Sequence, residues 1–374
     1  MDPFFRAARA KQNQIIACIR ELVECESPTG NLSSIDKCVG LISKQIGDIA
    51  RVRKYGKHVR CEFQLPGLKK QGQILALGHS DTVWPIGTLK AMPFRQARGR
   101  LWGPGVYDMK AGIVFFIFAM RILRELEVPV KRKVVLQINA DEETGSATSR
   151  ALTEDAARRS MAVLVLEPSS GLEGKLKTAR KGIGDYRVTV RGLAAHAGVD
   201  FEKGANAVVE MARQIERIAG VTRLDKGVTV SPGVIHGGTR SNVVPAECHV
   251  EIDVRVPRAV DEKYLARQFA SLKPFDKRCS IEVTGGLNRP PMERSAGIRQ
   301  LFQTARKLAA ELGVNLEESA TSGGSDGNFT AALGIPTLDG LGAVGEGAHA
   351  THESILINRI ADRTALLAKL VAAL

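Results

Sequence analysis

Acidic and histidine side chains follow directly after three short apolar runs of the sequence. These groups are His79 and Asp81 after Gln73–Gly78, Glu142 and Glu143 after Val134–Asn139, and Glu167 after Ala162–Leu166. If the runs are parallel strands of one open sheet, their carboxyl ends share an edge at which ligands collect. Carboxylates crowded at such an edge repel one another unless a cation neutralises them. The sequence therefore predicts a site for a hard or borderline divalent metal ion, or for a pair of them.

Two further segments could complete this site. Asp108 lies between the turn Gly103-Pro104-Gly105 and the next predicted helix, and the glycine-rich segment 342–353 contributes His349 and His352. Glycines permit tight backbone turns, so a loop of this composition can direct an imidazole inward. The spacing alone does not choose between the two histidines.

A separate motif could belong to a serine hydrolase. The segment Gly323–Gly327 matches the pattern G-x-S-x-G, and Asp339 and a histidine follow it in the order of a hydrolase triad built on Ser325. That nucleophile turn requires a buried strand before it, whereas residues 317–322 are polar. A serine hydrolase is therefore the first alternative to a metal-dependent enzyme.

The elements that must position these groups alternate along the first half of the chain. Apolar residues recur at helical spacing in 15–23, 35–46 and 112–126, and the strand-like runs lie after and between these helices. Helices alternating with buried strands predict an α/β fold with a doubly wound, mostly parallel sheet.

A different pattern begins after Gly184. The predicted elements are strands at 185–191, 228–235, 246–256 and 280–284, and helices at 205–218 and 261–272. Within 246–256 apolar and polar residues alternate, which is typical of an antiparallel sheet with one solvated face. The order βαββαβ predicts a ferredoxin-like α+β unit.

Helical periodicity and α/β character return at 295–312 and 357–371. We therefore predict a catalytic domain formed by residues 1–180 and 287–374, interrupted by an inserted domain at 181–286.

Composition and charge argue against a nucleic-acid-binding protein and against a membrane-spanning protein. The 374 residues are 44% hydrophobic, and 53 Lys+Arg against 40 Asp+Glu give a net charge of +13. Basic clusters such as Arg51-Val52-Arg53-Lys54 and Lys131-Arg132-Lys133 are short and lack aromatic interleaving, which favours a solvated surface over a nucleic-acid partner. The longest apolar run, Ile113–Met120, is far below the roughly 18 residues of a membrane span. Six cysteines without a C-x-x-C pair fit a reducing compartment, so a soluble cytoplasmic protein is expected.

Motifs spread over nearly the whole chain resemble the zinc-dependent exopeptidase and deacylase family. They are Gly78–Val83, Trp102–Gly105, Asp108–Gly112, Asp141–Ser146, Glu167-Pro168, Ala195–Gly198, Ser241–Pro245, Ser322–Asn328 and Ala348-His349. That family includes acetylornithine deacetylase, succinyl-diaminopimelate desuccinylase, aminoacylase and the folate-cleaving glutamate carboxypeptidases. The glutamate carboxypeptidase branch is the most similar, through Leu166–Ser169 and Gly285–Pro290.

The resemblance implies a metal ligand set and therefore a cofactor. The implied ligands are His79 and Glu167 for one ion, Glu143 and His349 for the other, and Asp108 as a bridge. His349 is preferred to His352, because the family pattern of Ala-His, three variable residues and Glu fits Ala348-His349 and Glu353. Two divalent ions per subunit are expected, with zinc first and cobalt or manganese as substitutes.

The resemblance also implies catalytic roles for three residues. Asp81 would hydrogen-bond the free ring nitrogen of His79 and fix its tautomer. Glu142 would be the general base for a hydroxide that bridges the two metal ions. His196 of the inserted domain would reach the partner subunit's site and stabilise the tetrahedral oxyanion. An exposed edge of the inserted antiparallel sheet would let two protomers pair, so a homodimer is expected.

Four residues are predicted to bind substrate. Asn242 would assist His196 at the oxyanion, and Gly324 lies in the matching segment Ser322–Asn328. Arg255 and Arg289 could grip a substrate carboxylate bidentately. Arg289 has the stronger resemblance, whereas Arg255, on the polar face of its strand, could equally be solvated or salt-bridged.

These implications together predict a hydrolase of amide bonds next to a free carboxylate. The expected substrates are short peptides or N-acyl amino acids, cleaved by a carboxypeptidase or a deacylase. A metal-free, dimeric binding relative is the second alternative, and the intact set of predicted ligands argues against it.

Overall fold

The computed structural model describes residues 1–374 and divides into two compact units. The first unit comprises Met1–Ala179, Arg294–Thr321 and Ser325–Leu374, and the second comprises Arg180–Glu293 and Ser322–Gly324. The second unit extends past residue 286, because Arg180 and Met292 exchange two backbone hydrogen bonds of 3.0 Å.

Ten α-helices and eighteen strands make up the two units. The helices are α1 (Pro3–Ala10), α2 (Gln12–Glu24), α3 (Leu32–Ile46), α4 (Ala111–Glu125), α5 (Arg150–Arg158), α6 (Ala207–Ala219), α7 (Ala259–Ala270), α8 (Ala296–Glu311), α9 (Gly327–Ala332) and α10 (Ile360–Ala373). The strands are β1 (Ala50–Tyr55), β2 (His58–Phe63), β3 (Gln73–His79), β4 (Arg95–Ala97), β5 (Arg100–Trp102), β6 (Lys133–Asn139), β7 (Ser160–Val165), β8 (Leu176–Arg180), β9 (Gly182–Arg191), β10 (Ala195–His196), β11 (Thr229–Gly237), β12 (Val243–Val244), β13 (Glu247–Val256), β14 (Ser280–Arg289), β15 (Glu318–Thr321), β16 (Thr337–Leu338), β17 (Gly345–Glu346) and β18 (Ser354–Leu356). None of the helices has the length and apolarity needed to cross a bilayer.

The first unit is built on a six-stranded sheet in the order β1-β2-β6-β3-β7-β16. The pairs β6/β3, β3/β7 and β7/β16 are parallel, whereas β1/β2 and β2/β6 are antiparallel. The predicted α/β class with a mostly parallel sheet is confirmed. The hairpin β1–β2 was not predicted.

Helices cover both faces of this sheet, as its side-chain alternation requires. Ile74 and Ala76 of β3 belong to the large apolar cluster formed with α2, α3, α4 and α10. Leu75 and Leu77 of the same strand belong to a second cluster, which includes Ala156 of α5. Strands buried on both faces read as continuous apolar runs, which is why β3, β6 and β7 are visible in the sequence.

The second unit contains a four-stranded antiparallel sheet in the order β11-β13-β9-β14. Along the chain the elements follow β9, α6, β11, β13, α7, β14, so the predicted ferredoxin-like unit is confirmed. On β13 the buried residues Val250, Ile252 and Val254 alternate with more exposed ones, as the sequence pattern indicated.

Candidate metal centre

The predicted ligands of the first unit lie at the carboxyl edge of its central sheet. His79 is the last residue of β3 and pairs in register with Asn139, the last residue of β6. Glu143 lies in the single helical turn Glu142–Thr144 that follows β6, and Glu167 lies just beyond the end of β7. Because these strands are parallel neighbours, their ends bring the three side chains to one place.

Asp108 lies between the two histidines with one carboxylate oxygen toward each. Its Oδ1 is 3.2 Å from His79 Nε2, and its Oδ2 is 3.5 Å from His349 Nε2. Asp108 is in the irregular turn Val106–Lys110 before α4, and its peptide bond to Met109 is cis. Oxygens of one carboxylate that face two different imidazoles are arranged as a bridge between two ligand sets.

Each histidine has a second carboxylate beside it. Glu167 Oε1 is 3.5 Å from His79 Nε2, and Glu143 Oε2 is 3.3 Å from His349 Nε2. The other oxygen of Glu143, Oε1, is buried and has no hydrogen-bond partner. A buried carboxylate oxygen without a partner is costly unless a cation satisfies it. This donor set of imidazole nitrogens and carboxylate oxygens fits divalent ions such as zinc.

Charges within the cluster are strongly coupled. Burial lowers the pKa of His79, but hydrogen bonds with Asp108, Asp81 and Glu167 together raise it well above the ordinary value. Hydrogen bonds with Asp108 and then Glu143 raise the pKa of His349 to about 10. Burial opposes ionisation of Asp108, yet its contacts with both histidines hold its pKa below the usual range. The carboxylates therefore draw positive charge into this site, which is the electrostatic condition for binding cations.

Asp81 is fully buried and organises two ligand-bearing segments. The backbone oxygen of Asp81 is 2.9 Å from His79 Nδ1, and its carboxylate Oδ1 is 3.5 Å from the same nitrogen. The carboxylate also accepts backbone N–H hydrogen bonds from Glu142 (3.3 Å) and Glu143 (3.1 Å), and a hydroxyl hydrogen bond from Thr29 (2.9 Å). Asp81 thus acts on the turn after β6 as well as on the imidazole, a contact that the sequence did not reveal.

Glu142 lies on the same turn as Glu143, and its carboxylate faces the cluster. Donor atoms of His79, Glu142 and Glu167 lie within 4.8 Å of one another, as do those of His79, Asp108 and Glu143. Glu142 is half-buried. Its carboxylate is therefore within reach of an ion or a molecule bound beside His79 and Glu167.

The loop after β17 presents His349 to the cluster. His349 has a left-handed backbone (φ 60°), and Gly347 before it is also left-handed (φ 85°). Half of the His349 side chain is exposed, whereas its Nε2 lies against Asp108 and Glu143. His352 is exposed on the same loop.

Glu353 is a buried carboxylate that sequence reasoning used only to mark the histidine motif. It accepts hydrogen bonds from the backbone N–H groups of Gly105 (2.9 Å), Tyr107 (2.9 Å) and Asp108 (3.1 Å), and from Trp84 Nε1 (2.9 Å). Burial raises its pKa to about 7. Glu353 therefore holds the turn that carries Asp108. The hydrogen bonds of Glu353 reveal this role. No local signal in the sequence indicates that this carboxylate is buried.

The remaining predicted residues belong to the second unit. His196 on β10 is exposed, and its Nδ1 accepts a hydrogen bond from the backbone N–H of Gly198 (3.1 Å). The backbone oxygen of Asn242 accepts a hydrogen bond from the backbone N–H of Ala197, the residue after His196 (3.0 Å). In neutral His196 this pattern leaves the hydrogen on Nε2, where it can be donated to a ligand.

Arg289 and Gly324 are neighbours, whereas Arg255 is engaged elsewhere. Arg289 is 4% exposed, and a Cβ added at Gly324 would lie 2.7 Å from Arg289 Cδ. Arg255 forms a forked ion pair with Asp253, with its shortest contact at 2.6 Å. Arg255 thus has an acidic partner within its own sheet.

Ser325 is placed poorly for a nucleophile. It is fully buried, and its hydroxyl donates to Asp339 Oδ2 at 2.6 Å. The short strand β15 before it is polar, as the sequence indicated. His349, one of the two histidines that could complete a triad, has its Nε2 against the carboxylates of Asp108 and Glu143 instead. This geometry disfavours the serine hydrolase alternative.

Two histidines and three carboxylates thus gather beside the carboxyl edge of an open α/β sheet, as a donor set that can hold divalent metal ions. The chain belongs to the peptidase family M20/M25/M40, whose sequence model matches residues 75–373. The predicted resemblance is therefore confirmed, and the protein is an enzyme of the metallopeptidase class.

Named relatives and solved structures agree with this assignment. The chain is 30% identical to carboxypeptidase G2 of Pseudomonas sp. (strain RS-16), over 98% of this chain and 91% of that protein. It is 28% identical to a succinyl-diaminopimelate desuccinylase of Cereibacter sphaeroides, over 95% of this chain and 97% of the relative. Its fold matches the aminopeptidase PepT of Bacillus cereus with a TM-score of 0.78 at 23% identity, covering 96% and 98% of the two chains. An M20 family metallo-carboxypeptidase of Sulfolobus solfataricus matches with a TM-score of 0.71 at 16% identity, covering 96% and 99%.

Proposed function

We propose that this protein hydrolyses an amide bond next to a free carboxylate, using two divalent metal ions. The observation that carries the proposal is the position of Asp108, whose two oxygens face His79 and His349 separately. Similarity along nearly the whole chain to a carboxypeptidase and a desuccinylase supports this bond type. The products would be a C-terminal amino acid such as glutamate, released from a peptide, or the amino acid of an N-acyl substrate.

Five residues of the first unit would hold the ions. His79 and Glu167 would bind one ion, Glu143 and His349 the other, and Asp108 both. Zinc suits these nitrogen and carboxylate ligands, and cobalt or manganese could replace it. When bound, such ions activate water as a nucleophile and polarise the scissile carbonyl.

Glu142 would be the general base and general acid. Its carboxylate takes a proton from the attacking water and returns it to the leaving nitrogen. The turn that carries Glu142 is fixed by its backbone hydrogen bond to Asp81. Asp81 is therefore proposed as the residue that positions both His79 and Glu142.

Residues of the second unit would recognise the substrate. We propose that His196 donates its Nε2 hydrogen to the tetrahedral oxyanion with the help of Asn242. Arg289 would bind the substrate carboxylate bidentately, beside Gly324. Arg255 would contribute less, because Asp253 already occupies its guanidinium group.

A homodimer through the edge strand β11 completes the proposal. This strand lies at one edge of the four-stranded sheet, and its Val234 and Ile235 are 45% and 51% exposed. An unpaired edge with apolar side chains is a template for a second copy of the same strand.

We also propose a cytoplasmic location. All six cysteines are free, which fits a reducing compartment.

A substrate panel with inhibitor controls tests the proposed activity. The panel contains N-acyl amino acids, dipeptides and folate-type glutamates, scored by release of free amino acid. We expect hydrolysis of substrates with a free carboxylate, loss of activity with a chelator, recovery with zinc, and no effect of a serine-directed fluorophosphonate. Preference for amidated or internal peptide bonds would contradict the proposal, and inhibition by the fluorophosphonate alone would favour Ser325.

A further inference from the structure

The outer hairpin of the central sheet carries an arginine cluster that the proposed hydrolysis does not use. Arg51, Arg53 and Tyr55 alternate along β1, so their side chains share one face of the sheet. Arg60 and Glu62 of β2 lie on the same face, because Arg53 pairs with Arg60 and Arg51 with Glu62. These side chains and Arg159 line a cavity of about 200 Å³.

One arginine of this cluster is mostly covered and held in place by several contacts. The Arg60 guanidinium donates to Gln137 Oε1 (2.9 and 3.2 Å) and to the Leu152 backbone oxygen (3.0 Å). It also lies over the Tyr55 ring, 5.0 Å from the ring centre. Its side chain is only 15% exposed. Fixed guanidinium groups lose little conformational entropy when they bind a ligand.

The charges around the cavity are not balanced by the protein. Arg53 lies directly opposite Arg60 in the antiparallel pair, an arrangement of like charges that destabilises a sheet. The side chains of Arg51 and Arg53 make no hydrogen bond or ion pair with protein groups, and neither does the Glu62 carboxylate. Arg159 is paired with Asp155, which is also 3.6 Å from Arg60. The four guanidinium groups thus outnumber the carboxylates of Glu62 and Asp155, and only Asp155 is paired with any of them.

We propose that this cavity is a binding site for a phosphate group of a small molecule. Guanidinium groups bind phosphate oxygens bidentately, and a bound phosphate would separate the opposed charges of Arg53 and Arg60. Arg60 supplies a rigid wall, and Arg51 and Arg53 supply the guanidinium groups that have no protein partner. The ligand is either inorganic phosphate or a phosphomonoester, both of which offer the same oxygens.

The test is calorimetric titration of the metal-loaded enzyme with inorganic phosphate and, separately, with glycerol 3-phosphate. We expect saturable binding of at least one of them in the wild type, and a Kd that is about 10- to 100-fold weaker in Arg53→Gln. Binding of inorganic phosphate identifies the free ion as a ligand, and binding of glycerol 3-phosphate alone identifies a phosphomonoester. Arg299→Gln removes the same charge from the exposed face of α8 and is expected to bind like the wild type.

A second measurement tests the repulsion between Arg53 and Arg60 without a ligand. In phosphate-free buffer of low ionic strength, Arg53→Gln is expected to raise Tm by about 1–2 °C, because it removes the repulsion from Arg60, and the gain disappears at high salt. Binding that is absent, that is equal in Arg53→Gln and the wild type, or that is reproduced by sodium chloride at equal ionic strength overturns the proposal. A fall in the Tm of Arg53→Gln would overturn its electrostatic premise.

Discussion

Asp108 is the residue on which the proposed two-ion site depends. Its Oδ1 and Oδ2 face different histidines, so in the proposal each oxygen would serve a different ion. Glu142 is proposed as a general base, whereas its neighbour on the chain, Glu143, is proposed as a metal ligand. Adjacent residues of one turn can therefore have separate duties, and substitution distinguishes them.

Replacing Glu142 by Ala is expected to lose most of the hydrolytic activity while both metal ions stay bound. General acid–base groups contribute about 10²- to 10⁴-fold to rate, so kcat is expected to fall by that factor. Metal content by mass spectrometry and kcat on the best substrate of the panel give the two readouts. Glu143→Ala is the matched control, and it is expected to lose metal. Metal loss in Glu142→Ala would make Glu142 a ligand instead.

Gly324→Ala tests the proposed substrate grip without touching the metal ligands. The added methyl group would lie 2.7 Å from both Arg289 Cδ and Ile183 Cδ1, so the Arg289 side chain must move. We expect KM to rise about tenfold or more with metal content unchanged. Gly40→Ala in α3, where nothing lies within 4 Å of the new Cβ, is the control. An unchanged KM in Gly324→Ala would remove Arg289 from substrate binding.

For single residues, the sequence indicated which side chains come together in the site but not the hydrogen bonds that position them. His79, Glu143 and Glu167 could be placed because each follows an apolar run that ends at the sheet edge. The hydrogen bond from the Glu142 backbone N–H to the Asp81 carboxylate could not be predicted, because it joins loops that are distant in sequence. Whether the predicted ligands bind metal stays a prediction.

Among the elements, the turn Val106–Lys110 depends on a distant loop for its shape. Glu353, from the segment between β17 and β18, accepts hydrogen bonds from three backbone N–H groups of residues 105–108. Short irregular turns lack the repeating hydrogen bonds of helices and strands, so an external acceptor must satisfy their N–H groups.

Glu353→Gln is expected to loosen this turn and with it the metal centre. The amide nitrogen cannot accept from backbone N–H groups, and leaving such donors unsatisfied costs about 1–3 kcal/mol. We expect the free energy of unfolding to fall by about 2 kcal/mol and zinc affinity to fall about tenfold. Denaturant unfolding and zinc titration provide the measurements.

The control for that prediction is Glu346→Gln on the same loop. Glu346 pairs with Arg100 at 2.6 Å but is 48% exposed, so its loss is expected to cost less than 1 kcal/mol. Equal effects of the two substitutions would show that Glu353 does no more than a surface ion pair.

Elements differ in how visible they are in the sequence, and their environment explains the difference. Strands β3, β6 and β7 are continuous apolar runs because both of their faces are covered. The hairpin β1–β2 escaped prediction because Arg51, Arg53 and Lys54 give it the composition of a solvated loop. Arg51 and Arg53 are exposed, as the predicted solvated face requires, and in the fold they line one cavity together with Arg60.

For the whole molecule, the proposed dimer makes a prediction about mass in solution. Ile235→Asp places a charge on the exposed edge strand β11, and we expect it to convert a dimer into monomers. Light scattering coupled to size-exclusion chromatography measures this change. Val260→Asp on α7 also charges an exposed apolar side chain, 58% accessible, and is expected to remain dimeric. A monomeric wild-type protein, or a dimeric Ile235→Asp variant, would contradict pairing through β11.

In the proposed enzyme, the Asp108 carboxylate joins two metal sites within a single chain. Metal analysis of the zinc-reconstituted and extensively dialysed protein, carried out in parallel on Asp108→Ala, tests this arrangement most directly. We predict two zinc ions per wild-type chain and fewer than one per Asp108→Ala chain, with activity lost in the variant. A wild-type chain that retains one ion or none, or an Asp108→Ala chain that retains two, would show that Asp108 does not bridge two ions.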